Sequence, residues 1–310
     1  MKGNILLTPG SLGTEVFSMV TGASSGSASS ACPNCGSSST ERIFHRKTTR
    51  DWYLARCNAC KQHYTDPHPT LDDIVSFYGD GYHEELLTVE HTRTAFGPKF
   101  ESYIDWIQPH LRAGGRTLDI GCSTGLFPYL LKERGFAAEG LELNSTTAKF
   151  AREQFGIPVT SQPFETAEYT PSSFTLVSMT DVLEHSLSPI VTLERVHDIL
   201  ESGGHALITF PDLWSAESRY FHTMGRLTGR DWLWGGCHVP LHTWEFTRPT
   251  AEALFRKTGF RVAMFRRSHV VLEEKRGRLL SLLYLPSQVL MLPPLSRLLG
   301  TQLEFLIQKQ

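Results

Sequence analysis

Four cysteines stand in two tight pairs, Cys32-x2-Cys35 and Cys57-x2-Cys60. Thiolates are soft ligands, and two knuckle turns can set four sulfurs tetrahedrally around one zinc ion. Four protein ligands leave no open coordination position, so such a zinc is structural and stabilises a module too small to build its own core. Cysteines without metal are the plainer alternative, but two pairs at ribbon spacing favour zinc. A second constellation lies in "TLDIGCSTGLF", residues 117–127. Gly121-Cys122-Ser123-Thr124-Gly125 matches G-x-S-x-G, in which Ser123 would be a nucleophile served by Asp212 and then His242 downstream. The same residues suit a glycine turn whose backbone amides approach a nucleoside cofactor, with Asp119 before it and Glu142 after one helix to accept ribose hydroxyls. A third is Asp181-x-x-Glu184-His185, an imidazole beside carboxylates and so equipped for general-base work.

These residues need a frame. Residues 1–30 read as a flexible Gly/Ser/Ala-rich leader and 31–68 as a zinc ribbon in which Ile43, Phe44, Trp52, Tyr53 and Leu54 supply two short strands. A helical connector spans 69–115, with one helix capped by Thr70 and another over 96–113. From 116 to 310 strand and helix signals alternate. Strands are expected at 116–120, 137–143, around Val159, at 174–179, 205–210, 260–265 and 302–307. Helices between them end at Gly135, Gly156 and Gly203-Gly204, and a further helix runs from 248 to 258. The fold class is α/β, a doubly wound, mostly parallel seven-stranded sheet behind a small zinc ribbon. An aromatic insertion at 211–246 and a basic and apolar one at 267–300 interrupt the alternation. Ligands of such sheets sit at the carboxyl ends of strands, where the glycine turn and Asp181 both fall.

The frame also weighs on the glycine turn. The strand feeding it is the first of the alternating series, whereas a nucleophile elbow follows several strands, and no HGGG-like oxyanion segment precedes it. Gly121 and Gly125 are four apart, so the G-x-G-x-x-G cradle for a pyrophosphate is missing.

The chain has 310 residues with 30 Lys plus Arg against 32 Asp plus Glu, a balance that argues against a general nucleic-acid binder. Arg42, Arg46, Lys47, Arg50 and Arg56 on the ribbon read as a solvated surface. Paired cysteines with no disulfide framework point to a reducing compartment. The early apolar run Ile5-Leu6-Leu7 is too short for a signal peptide, so a cytoplasmic location is expected. No stretch reaches the roughly 18 apolar residues of a membrane span. "LLSLLYLPSQVLML" at 279–292 follows a segment rich in Arg and Lys. Residues 267–300 are therefore open to two readings, an internal or homodimer face, or peripheral contact with the inner face of a membrane.

"LDIGCSTGLF", "GLELN", "FTLVSMTDVLEHSLSP" and "ESGGHALITFPD" resemble, in order and spacing, segments of class I S-adenosylmethionine-dependent methyltransferases. The resemblance covers about residues 116–260, and the cysteine module resembles the zinc-ribbon leader of a subset of them. It implies that Asp119, Gly121, Cys122, Ser123 and Gly125 surround the methionine part of S-adenosyl-L-methionine, and that Glu142 binds the ribose. Leu143 and Phe164 would meet the adenine, with Thr180 and Asp181 flooring the site. Thr175 departs from the family, which often carries Asp there. His185 is the first candidate for a general base, with Asp181 and Glu184 beside it, and His242 in "PLHTWEFT" the second. Glu184 and His185 as ligands of a divalent cation is a lesser reading. Trp214, Tyr220, Phe221, Trp232, Trp234, His238 and Trp244 in the insertion would clamp an acceptor or merely pack a lid. The expected activity is methyl transfer to a hydroxyl of a small phenol, sugar or lipid-linked molecule. An RNA methyltransferase and a non-catalytic cofactor-binding protein are the alternatives.

Overall fold

The computed structural model describes residues 30–48, 50–77, 87–228, 238–268 and 299–310. The leader, Trp232, Trp234 and nearly all of 267–300 lie outside the described residues. In chain order the elements begin with β1 (Thr40–Lys47), β2 (Asp51–Cys57), β3 (His63–Asp66), α1 (Leu71–Phe77) and α2 (Val89–Ile107). Next come β4 (Arg116–Ile120), α3 (Leu126–Glu133), β5 (Ala137–Leu141), α4 (Ser145–Phe155), β6 (Val159–Thr160) and β7 (Phe174–Thr180). Then follow α5 (Pro189–Ile199), β8 (Leu200–Pro211), α6 (Ala216–Thr228), β9 (Trp244–Glu245), α7 (Arg248–Lys257), β10 (Phe260–Ser268) and β11 (Gln302–Lys309). No helix among the described residues is long and apolar enough to cross a membrane.

The chain divides into two compact units, and each is described by itself. The first draws on the described parts of 1–69, 211–248 and 266–303, the second on 70–210, 249–265 and 304–310. In the first, β1, β2, β3 and β9 form an antiparallel four-stranded sheet in that order. Two ribbon strands were expected. The third is His63–Asp66, and the fourth comes from the aromatic insertion, which also builds α6, a helix the sequence reading did not foresee. Gln62 Nε2 donates to the Glu245 carbonyl (3.0 Å) and Thr65 Oγ1 to the His242 carbonyl (2.6 Å), pinning the late segment to β3.

The second unit holds the seven-stranded sheet, ordered β10-β11-β8-β7-β4-β5-β6. β4 pairs in parallel with β5 and β7, β5 with β6 and β7 with β8, as the α/β alternation requires. The chain runs β4, β5, β6 to one side and returns to β7 on the other, so the order reverses at β4. Every residue of β4 after Arg116 is buried, and so is β7 up to Met179, the mark of strands covered on both faces. Leu126, Phe127, Leu130 and Leu131 of α3 pack with Tyr103, Ile104 and Ile107 of α2 in one apolar cluster. Each such side chain contributes about 1.5–3 kcal/mol of burial.

Caps fix the helix starts. Asn144 Oδ1 accepts from the N–H groups of Thr146 and Thr147, and α4 ends at Gly156 with φ +61°. Helix α2 begins seven residues earlier than the spacing predicted, because Thr88 caps it by accepting from the His91 N–H (3.1 Å). Pro98 sits inside that helix rather than at its start. Strand β8 likewise begins at Leu200, running through the Gly203-Gly204 pair that the sequence suggested would close a helix. A Cβ on Gly204 would come within 2.9 Å of the Glu201 carbonyl, so this crowded start of the strand needs glycine.

Candidate functional site

The glycine turn lies at the carboxyl end of β4, beside the point where the strand order reverses. Gly121 has φ +70° and Gly125 φ +82°. A Cβ on the first would lie 2.6 Å from Val182, and on the second 2.6 Å from Ala151. Glycine is thus required twice over, by backbone conformation and by space. The Gly121 and Cys122 amides both donate to the Leu141 carbonyl (2.8 and 3.0 Å), so they fasten the turn to β5 instead of cradling a ligand. The Cys122 thiol is buried where a Cβ on Gly140 would meet it at 2.5 Å, and burial raises its pKa well above that of an ordinary thiol. Cys122 therefore serves the turn by packing.

Two carboxylates flank this turn. Asp119 is 3% exposed; burial lifts it to about 7, against the Ser178 hydroxyl that donates to it at 2.6 Å, and the nearby charge of Glu142 raises it further. Glu142, just past β5, is also raised by burial. Its two oxygens accept from the Ser123 and Asn144 N–H groups, both at 2.8 Å, which pull it down. Ser123, at φ +46°, is the residue whose backbone bends to make that bond. Leu143 beside them is 55% exposed and open to a flat partner. Phe164 is instead buried, with Tyr169 at 6.2 Å and the Arg195 guanidinium 5.2 Å from its ring.

At the end of β7, Thr180 pairs with Thr209 and Asp181 turns the chain at φ +59°. The Asp181 carboxylate takes Lys99 Nζ at 2.7 Å, so α2 delivers a cation to the strand end. Lys99 was missed by sequence reasoning, since nothing local connects residue 99 to residue 181. Glu184 and His185 follow in a single 3-10 turn, with Glu184 buried and His185 Nε2 4.0 Å from its carboxylate.

A family model for the methyltransferase domain matches residues 89–263, more than half of the chain. The chain belongs to the methyltransferase-domain family. Among solved structures, the complex between the Haloferax volcanii Trm112 methyltransferase activator and a methyltransferase aligns at TM-score 0.53. It is 14% identical and covers 73% of this chain and 96% of that one, a likeness of fold. The ubiquinone biosynthesis O-methyltransferase of Pseudomonas paraeruginosa is 25% identical over 113 residues, covering 34% of this chain and 49% of the relative. Its counterpart in Azoarcus sp. is 29% identical over 109 residues, covering 33% and 46%. The chain thus spans about half the length of the curated relatives it matches.

The first unit carries the remaining candidates. The sulfurs of Cys32, Cys35, Cys57 and Cys60 all lie within 4.8 Å of one another, with Cys32–Cys60 at 3.7 Å and Cys35–Cys57 at 3.6 Å. Tetrahedral zinc with bonds of ~2.3 Å sets its sulfurs ~3.8 Å apart, so the cluster fits that ion. Burial raises the Cys57 thiol, but N–H groups of Cys60 and Ala59 and the neighbouring thiols outweigh it and hold it down to about 7. Further along, Asp212 pairs with Arg267 and accepts from the Trp214 N–H (3.1 Å). His242 Nδ1 instead lies 3.3 Å from Glu245 Oε1. The Asp212–His242 half of a hydrolase triad is therefore not assembled. His238 and His242 face each other with ring centres 4.5 Å apart across a turn closed by the His242 N–H and the His238 carbonyl.

Proposed function

We propose that the chain transfers a methyl group from S-adenosylmethionine to a hydroxyl oxygen of a small acceptor. The observation that carries this reading is the pair of carboxylates, buried Asp119 and half-buried Glu142, on either side of the glycine turn within the family's matched region. Glu142 at the end of β5 would accept the ribose hydroxyls, and the exposed Leu143 would lie against the adenine. Asp119, Gly121, Cys122, Ser123 and Gly125 would line the methionine part. Two desolvated carboxylates close together are relieved by a cationic ligand, which suits a sulfonium and an ammonium group. When bound, the cofactor supplies a methyl group on a sulfonium sulfur, which keeps the S–C electron pair as the O–C bond forms.

The chain's own tasks are to orient the acceptor and remove its proton. His185 is the first proton acceptor we assign, with Glu184 beside it and Asp181, held by Lys99, shaping the floor with Thr180. His242 is the second. A phenolic hydroxyl is favoured as acceptor because the matched curated relatives carry ubiquinone O-methyltransferase names. We assign zinc to Cys32, Cys35, Cys57 and Cys60 in a structural role. Titration calorimetry with S-adenosylhomocysteine tests the core of the reading. Glu142→Ala should weaken binding roughly 30- to 150-fold, as expected for losing charge-assisted hydrogen bonds of about 2–3 kcal/mol. Absence of binding by the unaltered chain would end the proposal.

A further inference from the structure

Asp119 of β4 lies opposite Ser178 of β7 in the parallel pairing, so their side chains project to one face of the seven-stranded sheet. Both residues are buried, and Ser178 Oγ is 2.6 Å from Asp119 Oδ1. The same Oγ has the Leu118 carbonyl as a second acceptor at 3.4 Å. A hydroxyl donates one hydrogen and also accepts, so it can serve a carboxyl in either charge state. With Asp119 ionised, the hydroxyl donates to Oδ1. With Asp119 neutral, the acid O–H donates to Oγ and the hydroxyl turns to the Leu118 carbonyl. Neither state leaves Oδ1 or the hydroxyl without a partner.

Two further acids stand around this pair. Glu142, just past β5, adds its negative charge to the burial of Asp119, and burial keeps the Cys122 thiol of the turn neutral. A desolvated setting and a second carboxylate both favour the neutral acid until a cation arrives. We propose that Asp119 and Ser178 form a proton-release site, in which the empty chain holds a proton on Asp119 and cofactor binding expels it. This rests on the methyl-transfer reading, which puts the methionine part of the cofactor, with its ammonium group, beside Asp119. As that cation enters, the carboxyl O–H bond breaks, its electron pair stays on the oxygen and the proton passes to buffer. Ser178 then swings its hydrogen from Leu118 to Oδ1. Ser178 is thus a positioning residue that sets the pH at which the exchange occurs.

Titration calorimetry of the full chain with S-adenosylhomocysteine, run in buffers of different ionisation enthalpy, counts the protons released. With Asp119 near 7 in the empty chain, release should be roughly 0.9 proton at pH 6 and roughly 0.5 at pH 7. Asp119→Asn should bind with no release over that range. Ser178→Ala should move the midpoint of release up by roughly one unit, through loss of the donor to the carboxylate. A merely structural role for Ser178 would weaken binding alike at every pH. Binding without release by the unaltered chain at pH 6 overturns the proposal. So does release that persists in Asp119→Asn, or a midpoint unmoved in Ser178→Ala. The first of these is read on the wild type, so a variant that fails to fold or to bind does not shield the idea. Unaltered chain that does not bind S-adenosylhomocysteine at all ends the methyl-transfer reading, and this use of Asp119 with it.

Discussion

The seven-stranded sheet and the four-stranded sheet share side-chain burial but differ in what is added to it. In the first, β4 and β7 are buried along nearly their whole length and the helices α2 and α3 add a continuous apolar cluster. In the second, three short strands near the cysteines borrow a two-residue strand, tied in by Gln62 and Glu245 across a sequence separation of 183. Trp52, Leu54, Tyr64 and Trp244 are buried there too, and the cysteine cluster and a buried polar network add to them. Each unit nonetheless contains one carboxyl that burial lifts to about 7, Asp119 in one and Glu245 in the other. Their surroundings differ. A second acid raises Asp119 further, whereas His238 and Arg46 restrain Glu245.

The largest effect that tests this contrast is on the metal. Cys57→Ser should abolish stoichiometric zinc in metal analysis and remove on the order of 10 kcal/mol of binding free energy from the small sheet. Binding of S-adenosylhomocysteine by the other unit should survive. A variant that melts as the wild type does would erase the difference between the sheets.

Next is the dependence on pH. Because burial raises Asp119, the folded chain keeps between about pH 4 and 7 a proton that the unfolded chain has lost. Its contribution is fully present below pH ~4 and is lost as pH climbs through ~7, a change on the order of 4 kcal/mol. Asp119→Asn, uncharged throughout, should flatten that decline in denaturant titrations run across the range. The slope contributed by Glu245 has the same sign and should remain.

Smaller still is Gly125→Ala. With φ at +82° and a Cβ placed 2.6 Å from that of Ala151, it should cost about 3 kcal/mol of unfolding free energy. A loss below 1 kcal/mol, on the order of one ordinary backbone adjustment, would mean the turn can yield. At the bottom of the scale, Lys149→Ala removes an exposed pair with Glu153 at 3.9 Å on α4 and should change stability by about 0.3 kcal/mol.

What could be read from the residues was what is encoded locally. Strand β4, the cap at Asn144, the left-handed Gly156 and the paired cysteines each announce themselves within a few positions. Helix α2 was misplaced because its apolar spacing starts only at Phe96, while the Thr88 cap is followed by no strongly apolar period. The glycine turn was located, yet its amides proved to be committed to Leu141, which only the β4–β5 pairing could reveal. Lys99 with Asp181 depends on a contact between distant segments, and Glu245 with His242, only three residues apart, on a turn held against β3. No spacing rule points to them. His242 was chosen by resemblance, and the acid beside it went unnoticed because a lone Glu in "HTWEFT" is indistinguishable from a surface charge.

The position of β11 has a consequence for how the molecule is made. This late strand lies between β10 and β8 rather than at an edge of the sheet. A ribosome releases β4 to β8 early, and they can pair as they emerge, but β10 meets the rest of the sheet only through β11. Until the last of residues 302–309 has left the exit tunnel, one side of β8 offers an open row of backbone donors and acceptors. The nascent chain therefore needs its own late strand, or a chaperone, to keep that row from pairing with a neighbour.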